Sequence, residues 1–389
     1  MKDKRMTVFN FVRGAAAILL SLAVGTVFIF LTFVLAEKHY TLAECLKNTG
    51  EALRVMLVGP LINKGAFYYR SFAQILAAMI PITFTGLATC VMFSANQFNL
   101  AGEGSAMAGG FVAALCGIYL HMNTGFHAVV CIVAAAAACA LIMLIPALLK
   151  VKLGASEMVT SLMLNYVIMY VVLHFLNVHF ADRSKGSTQT FPFAATSKIA
   201  EIHFEGDAFK KFFPAGTKLT WGFVIAMVFV VLTALFMYRT RWGYTIRMIG
   251  SNQSFAKYSG MKVGGTIVLS QVVGGILAGM GGGIEVMGRF DTFLWRELPG
   301  YGWTGVTIAI LAKNNPIFVP LAAFFIAYLN KGCSLMATKC DVPSEMISII
   351  QAAIFLFFAA EQVLSGYRQR LVVKNTQADL MKKAEGRKA

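Results

Sequence analysis

Four polar or glycine-rich patches interrupt an apolar sequence, and their residue types and spacing set what chemistry is available. The first reads Ser94-Ala95-Asn96-Gln97-Phe98-Asn99-Leu100-Ala101-Gly102-Glu103. Asn96, Asn99 and Glu103 fall at i, i+3 and i+7, so in a helix they would share one face. An ionisable side chain among apolar runs is costly at membrane depth and tends to face a cavity or a partner. These residues are candidates for lining a pathway. The plainer reading is a polar turn with Glu103 in the first turn of the next helix.

The second patch runs from Ser156 to Tyr166, with Glu157, Ser161 and Asn165 repeating every four residues. Such a stripe either holds helices together or lines a pathway. For Glu157 an end-of-helix role is simpler, with Ser156 as the cap and an acid in the first turn. Asn165 lies deeper and joins Asn96, Asn99 and Glu103 as a pathway candidate. In the third patch, Gly275, Ala278 and Gly282 follow one face, and Gly275 and Gly279 form a G-x-x-x-G. Small residues at that spacing let helix backbones approach closely. A phosphate cradle is excluded because no Gly-Lys-Ser/Thr follows. The fourth patch is the basic loop 239–262, where Ser251-Asn252 would cap a helical turn that Gly260 stops.

The elements that carry these patches are membrane helices. Of 389 residues, 58% are hydrophobic and 13% charged, against about 25% charged in soluble domains. Apolar runs of about 20 residues, enough to cross a hydrocarbon core of roughly 30 Å, recur along the chain. The fold class expected is all-α, a polytopic membrane bundle of about ten segments with broken or re-entrant pieces. The segments are placed at 14–35, 71–93, 104–120, 127–149, 157–179, 220–238, 263–285, 299–312, 316–332 and 345–364. The first is read as a retained helix, because its apolar run exceeds a signal-peptide core. The eighth is short and opens Pro299-Gly300-Tyr301-Gly302, the mark of a broken or re-entrant helix.

The net charge of +16 could suggest a nucleic-acid partner. Starting the chain inside, however, places most of that excess in inner loops and the tail, as membrane topology demands. The expectation is one transmembrane domain over 1–389 with both termini cytoplasmic and no nucleic-acid partner. Loops 37–70 and 181–219 lie outside, with the loop 239–262 and a basic tail over 366–389 inside. The seven cysteines form no C-x-x-C, and neither a metal nor a cofactor is indicated. Leu364-Ser365-Gly366-Tyr367-Arg368-Gln369-Arg370 resembles an ATP-binding-cassette signature, but no Walker A loop occurs in the chain. It is read as a coincidence, and the chain as non-catalytic.

Four patches in order resemble the permease subunits of ABC importers for nucleosides or simple sugars, within the ribose and branched-chain amino-acid permease superfamily. Phe98-Asn99-Leu100…Glu103-Gly104 is similar to the family's F-N-I-G-A-E-G-Q, with Ala101-Gly102 inverted and Ser105 in place of Gln. Gly154-Ala155-Ser156-Glu157-Met158…Met163-Leu164-Asn165-Tyr166 resembles its G-x-N-E-V…M-L-N-Y. Gly250-Ser251-Asn252…Ala256-Lys257-Tyr258-Ser259-Gly260 resembles the cytoplasmic loop that docks on the ATPase, with Phe255 replacing an alanine. Gly300-Tyr301-Gly302-Trp303-Thr304-Gly305…Asn315-Pro316 resembles its G-Y-G-F-x-G…N-x-P.

The resemblance implies a prokaryotic plasma (inner) membrane location and a pathway near Asn99, Glu103 and Asn165. It implies docking of a cytoplasmic ABC ATPase through Gly250, Asn252, Ala256, Tyr258 and Gly260. An extracytoplasmic solute-binding protein would deliver the nucleoside or sugar, and the long loop before the second segment suits a heterodimer with a second permease. The alternative is an ion-coupled secondary transporter of small polar solutes, which needs an intramembrane carboxylate. Glu103, Glu157 and Glu285 qualify, all near expected helix ends. A membrane enzyme lacks any nucleophile–base pair, and His174 and His179 are read as interfacial.

Overall fold

Backbone in hydrocarbon must satisfy its own hydrogen bonds, and the apolar runs of this chain do so as helices. The computed structural model describes residues 20, 22–34, 41–63, 66–120, 122, 125–186, 188–202, 219–340, 342–343, 348–349 and 352–353. In order these form α1 (Leu22–Val34), α2 (Leu42–Val58), a two-residue strand pair (Ile62–Asn63 with Ala66–Phe67), α3 (Tyr69–Ser94), α4 (Gly102–Tyr119) and α5 (His127–Leu153). There follow α6 (Glu157–Phe175), α7 (Gly222–Arg239), α8 (Arg241–Ser251), α9 (Gln253–Tyr258), α10 (Val263–Arg289), α11 (Tyr301–Leu311) and α12 (Val319–Lys339). A π-helical turn, Leu176–Phe180, extends α6.

Among the described residues, 6 helices are long and apolar enough to cross a membrane: α3, α5, α6 with its π turn, α7, α10, and α12 with the turn before it. Helices α1 and α11 are apolar but shorter. The expected tenth segment, 345–364, lies almost wholly outside the described residues, as do residues 1–19 and the tail 366–389.

The chain divides into two compact units, one of Met1–Gly59 with Gly332–Ala389 and one of Pro60–Lys331. In the first, the expected polar loop 37–70 holds α2. Its buried residues Cys45, Thr49, Ala52 and Met56 recur at helical spacing, and the Met56 carbonyl touches Gly332. The Glu44 carboxylate accepts from the Thr41 backbone N–H at 2.9 Å and hydroxyl at 2.8 Å, closing the first turn. Those bonds, the backbone one foremost, hold the Glu44 carboxyl below the usual range. The cap is therefore complete at neutral pH and lost as pH falls through that depressed value.

In the second unit α10 is the central element, packed by α3, α4 and α5. Its glycines set the distance to each neighbour. A Cβ at Gly275 would lie 2.5 Å from Met143 Cγ, and one at Gly279 would lie 2.6 Å from Cys139 Cβ, both on α5. At Gly282 a Cβ would strike the Ala106 carbonyl of α4. The small-residue stripe thus changes partner along its length, from α5 to α4. Helix α11 packs on α3, where Gly305 meets Thr85 and Gly86 meets Ile308.

Overpacking of this kind costs about 1–3 kcal/mol. Gly282→Ala should therefore lower the melting temperature of the purified protein. Gly265→Ala, exposed on the same helix and free of tight neighbours, should be neutral or stabilising by up to about 1 kcal/mol. Equal melting of the two variants would contradict the packing described.

Candidate functional site

Helix α11 has 11 residues, about 16 Å at the α-helical rise, too short to cross a membrane alone. Its N-terminus presents unsatisfied N–H groups, and a side chain from another helix satisfies them. Glu103, only 1% exposed, accepts from the N–H of Gly300 through Oε1, and through Oε2 from Gly302 at 2.6 Å and Trp303 at 3.2 Å. Gly300, in the left-handed region at φ 80, gives the chain the turn that enters the helix. Hydrogen bonds to an ionised acceptor are the strong ones, and a carboxylate complements the positive end of the helix dipole. Beside them, Thr85 Oγ1 donates to the Tyr301 carbonyl at 2.8 Å. The Tyr301 hydroxyl donates at 3.2 Å to Glu285 Oε1, which also accepts from Arg289 at 3.1 Å.

Residues 291–293, where the chain leaves α10, are held by the loop after α6. Thr190 Oγ1 accepts from the Phe293 N–H at 2.9 Å, and the Phe193 N–H donates to the Asp291 carbonyl at 3.0 Å. Lys198 pairs with the Asp291 carboxylate at 2.6 Å. Phe293 is fully buried and meets the rings of Phe111 and Trp295 edge-on, at 5.4 and 5.6 Å. The segment 290–300 is therefore fixed at both ends.

The turn that carries Glu103 is itself held by side chains. Helix α3 stops at Ser94 and α4 starts at Gly102, so the intervening residues are not helical. Asn96, Asn99 and Glu103 consequently do not share a helical face: Asn96 is exposed, with φ 55, while Asn99 is buried. Asn99 donates to Gln271 Oε1 at 2.8 Å and accepts from the Ala101 N–H at 2.8 Å. Asn165 bridges the same turn, donating to the Leu100 carbonyl at 3.0 Å and accepting from the Gly104 N–H at 2.9 Å. Ser161 accepts from the Leu100 N–H at 3.0 Å. The polar stripe of α6 thus ties down irregular backbone. Ser156 makes no side-chain cap bond, and Glu157 instead pairs with Lys150 of α5 at 2.6 Å. A carboxylate beside the end of the preceding helix has a cation closer than its own cap.

In the basic loop, Asn252 Oδ1 accepts from the Phe255 N–H at 2.9 Å and caps α9, which ends before the left-handed Gly260 at φ 78. Gly250 packs on the Ser94 carbonyl at the end of α3, and Ala256 is buried. Asn252 and Gly260 are exposed, as are Phe255 at 54% and Tyr258 at 91%. Thr85, Thr190 and Gln271 complete the arrangement and carry no motif signal of their own, while Tyr301 joins it from the Gly300-Tyr301-Gly302 patch. Only the i, i+4 spacing of Glu285 and Arg289 was readable as a pair.

The permease component of branched-chain amino acid transport systems matches residues 71–359. The chain belongs to this family. The matched range contains the whole Glu103–α11 arrangement and the α8–α9 pair, and the permease is a membrane protein with several apolar helices. It is 29% identical to the glucose ABC transporter permease protein of Haloferax volcanii, over 84% of this chain and 88% of that one. It is 27% identical to the guanosine ABC transporter permease protein of Bacillus subtilis, over 77% of this chain and 83% of that one. The nucleoside ABC transporter permease protein of Lactococcus lactis subsp. cremoris is also 27% identical, with 76% and 80% covered. No solved structure matches the permease.

Removing an acceptor from buried donors costs about 1–3 kcal/mol. Glu103→Ala should therefore lower the melting temperature clearly. Glu103→Gln, which keeps the length but turns an amide towards N–H donors, should fall between it and wild type. Wild-type melting of both variants would contradict the capping role.

Proposed function

We propose that this permease forms the translocation pathway of an ATP-driven importer for nucleosides or simple sugars. Ten crossings would place both termini in the cytoplasm, with 37–70 and 181–219 outside and 239–262 and 366–389 inside. A separate cytoplasmic ABC ATPase would hydrolyse ATP, an extracytoplasmic solute-binding protein would deliver the solute, and a second permease subunit would complete a heterodimeric pore.

The observation that carries this reading is the α8–α9 pair. It is built by its own caps, seated on the end of α3 through Gly250, and presents Phe255 and Tyr258 outward. Exposed aromatic side chains on a rigid short helix suit a protein partner. Asn99, Glu103 and Asn165 then act behind the pathway, holding the turn and the broken helix that shape it. The names of the glucose, guanosine and nucleoside permeases support the solute class. An ion-coupled carrier is less well supported, because Glu103, Glu157 and Glu285 are each engaged by partners within the chain.

The test is purification of the tagged permease with its partners, followed by uptake of radiolabelled guanosine and glucose into proteoliposomes. Wild type should bring an ATP-binding subunit and import one of the solutes only with ATP. Tyr258→Ala should weaken ATPase association by about tenfold or more, as for an interface hot spot, with unchanged melting. Uptake by the permease alone, without ATP, would establish the carrier instead.

A further inference from the structure

A helix that crosses a membrane turns its outward face to lipid or to something polar, and the side chains on that face differ accordingly. In the middle of α5 the exposed residues are Val133, Ala137, Leu141 and Ile145, and in the middle of α7 they are Val228, Val231 and Leu232. Lipid covers such faces readily. Helix α6 differs. Its exposed residues include two adjacent rows at helical spacing. One holds Val167, Val171 and Val178 and matches the faces of α5 and α7. The other holds Tyr166, Tyr170, His174 and Asn177, with the tyrosines 57% and 66% exposed. Among the described residues, none of these four side chains makes a hydrogen bond or ion pair within the chain.

Their depth follows from α6 itself, which with its π turn is a candidate span of 24 residues, Glu157–Phe180. At the helical rise Tyr166 lies roughly 13 Å from its start and Tyr170 roughly 15 Å from its end. Both are too deep for the aromatic belts at the two interfaces. Asn165, beside Tyr166, accepts from the Gly104 N–H at 2.9 Å, and the adjacent Glu103 holds the N-terminus of α11. The row therefore passes the level at which α11 is broken, and broken helices at mid-membrane accompany solute sites in transporters.

Polar side chains at that depth face water or a partner rather than lipid. Packing between membrane helices favours small residues, as on α10, whereas this row presents bulky rings with free polar ends. We propose that this row of α6 is a solute-facing wall of the pathway and that its rings select a nucleoside over a hexose. The proposal rests on the importer reading above and places the pathway between this chain and the second permease subunit. A planar base stacks on tyrosine rings. The tyrosine hydroxyls, His174 and Asn177 meet base edges and ribose hydroxyls as donors and acceptors. The row holds no carboxylate, Lys or Arg, which suits an uncharged solute, and its members follow one another along the helix axis, as a path requires.

The experiment uses the assembled transporter in proteoliposomes with its binding protein. Tyr166→Cys and Tyr170→Cys should react with a membrane-impermeant thiol reagent well above the wild-type background, and more slowly when a transported nucleoside is added. Val133→Cys on α5 should stay at background. Tyr166→Leu and Tyr170→Leu complexes that melt as wild type should lose about tenfold in uptake of guanosine or uridine, the scale of one base–aromatic stack. Tyr166→Phe and Tyr170→Phe, which keep the ring, should lose less.

Absence of labelling at both cysteines would show the row covered and would overturn the proposal. Loss of subunit association in the leucine variants would make the row an assembly surface and overturn it too, as would wild-type nucleoside uptake in them. ATP-driven uptake of glucose without nucleosides by the wild type would overturn the nucleoside assignment and leave the importer reading intact. If wild type imports none of these solutes with ATP, the importer reading itself fails, and the solute contact fails with it.

Discussion

A single buried carboxylate sets the geometry of this permease. Helix α11 ends inside the bundle, and its N-terminal N–H groups need acceptors where water is scarce. Glu103 supplies both oxygens to three of them. That arrangement places demands on its surroundings. The carboxylate must arrive from a fixed direction, so the turn between α3 and α4 is held by Asn99, Ser161 and Asn165. The helices carrying those side chains and their partners must sit close together, which the glycines of α10 allow against α4 and α5.

The same turn links the centre of the bundle to the basic loop. Gly250 of α8 packs on the Ser94 carbonyl, one residue before the segment that leads to Glu103. A displacement of the α8–α9 pair by a partner would therefore act on the turn whose side chains position α11. Contact continuity supplies a route for coupling, while coupling itself is an energetic quantity. The segment on the far side of that cap is fixed at its other end by Thr190 and Phe193.

Much of the helical frame was legible because length and hydropathy alone demand it. The short eighth segment was legible from Pro299-Gly300, which cannot continue a helix. What escaped was direction. Asn99, Glu103 and Asn165 were recognisable as costly residues in an apolar setting, yet the spacing of Asn96, Asn99 and Glu103 suggested one helical face. The structure instead breaks the helix at Ser94 and uses Asn99, Glu103 and Asn165 to satisfy backbone. Helix α2 escaped because its buried face is Cys, Thr, Ala and Met, too weakly apolar to mark a core stripe.

Amide hydrogen exchange on the assembled transporter, resolved over residues 298–305, tests the central claim most directly. If Glu103 pins the broken helix, the Gly300, Gly302 and Trp303 amides exchange slowly in wild type. They become selectively fast in Glu103→Ala, while amides in the middle of α10 stay protected. Equal exchange of those three amides in wild type and variant would mean that the carboxylate does not hold α11, and the account built on it would not stand.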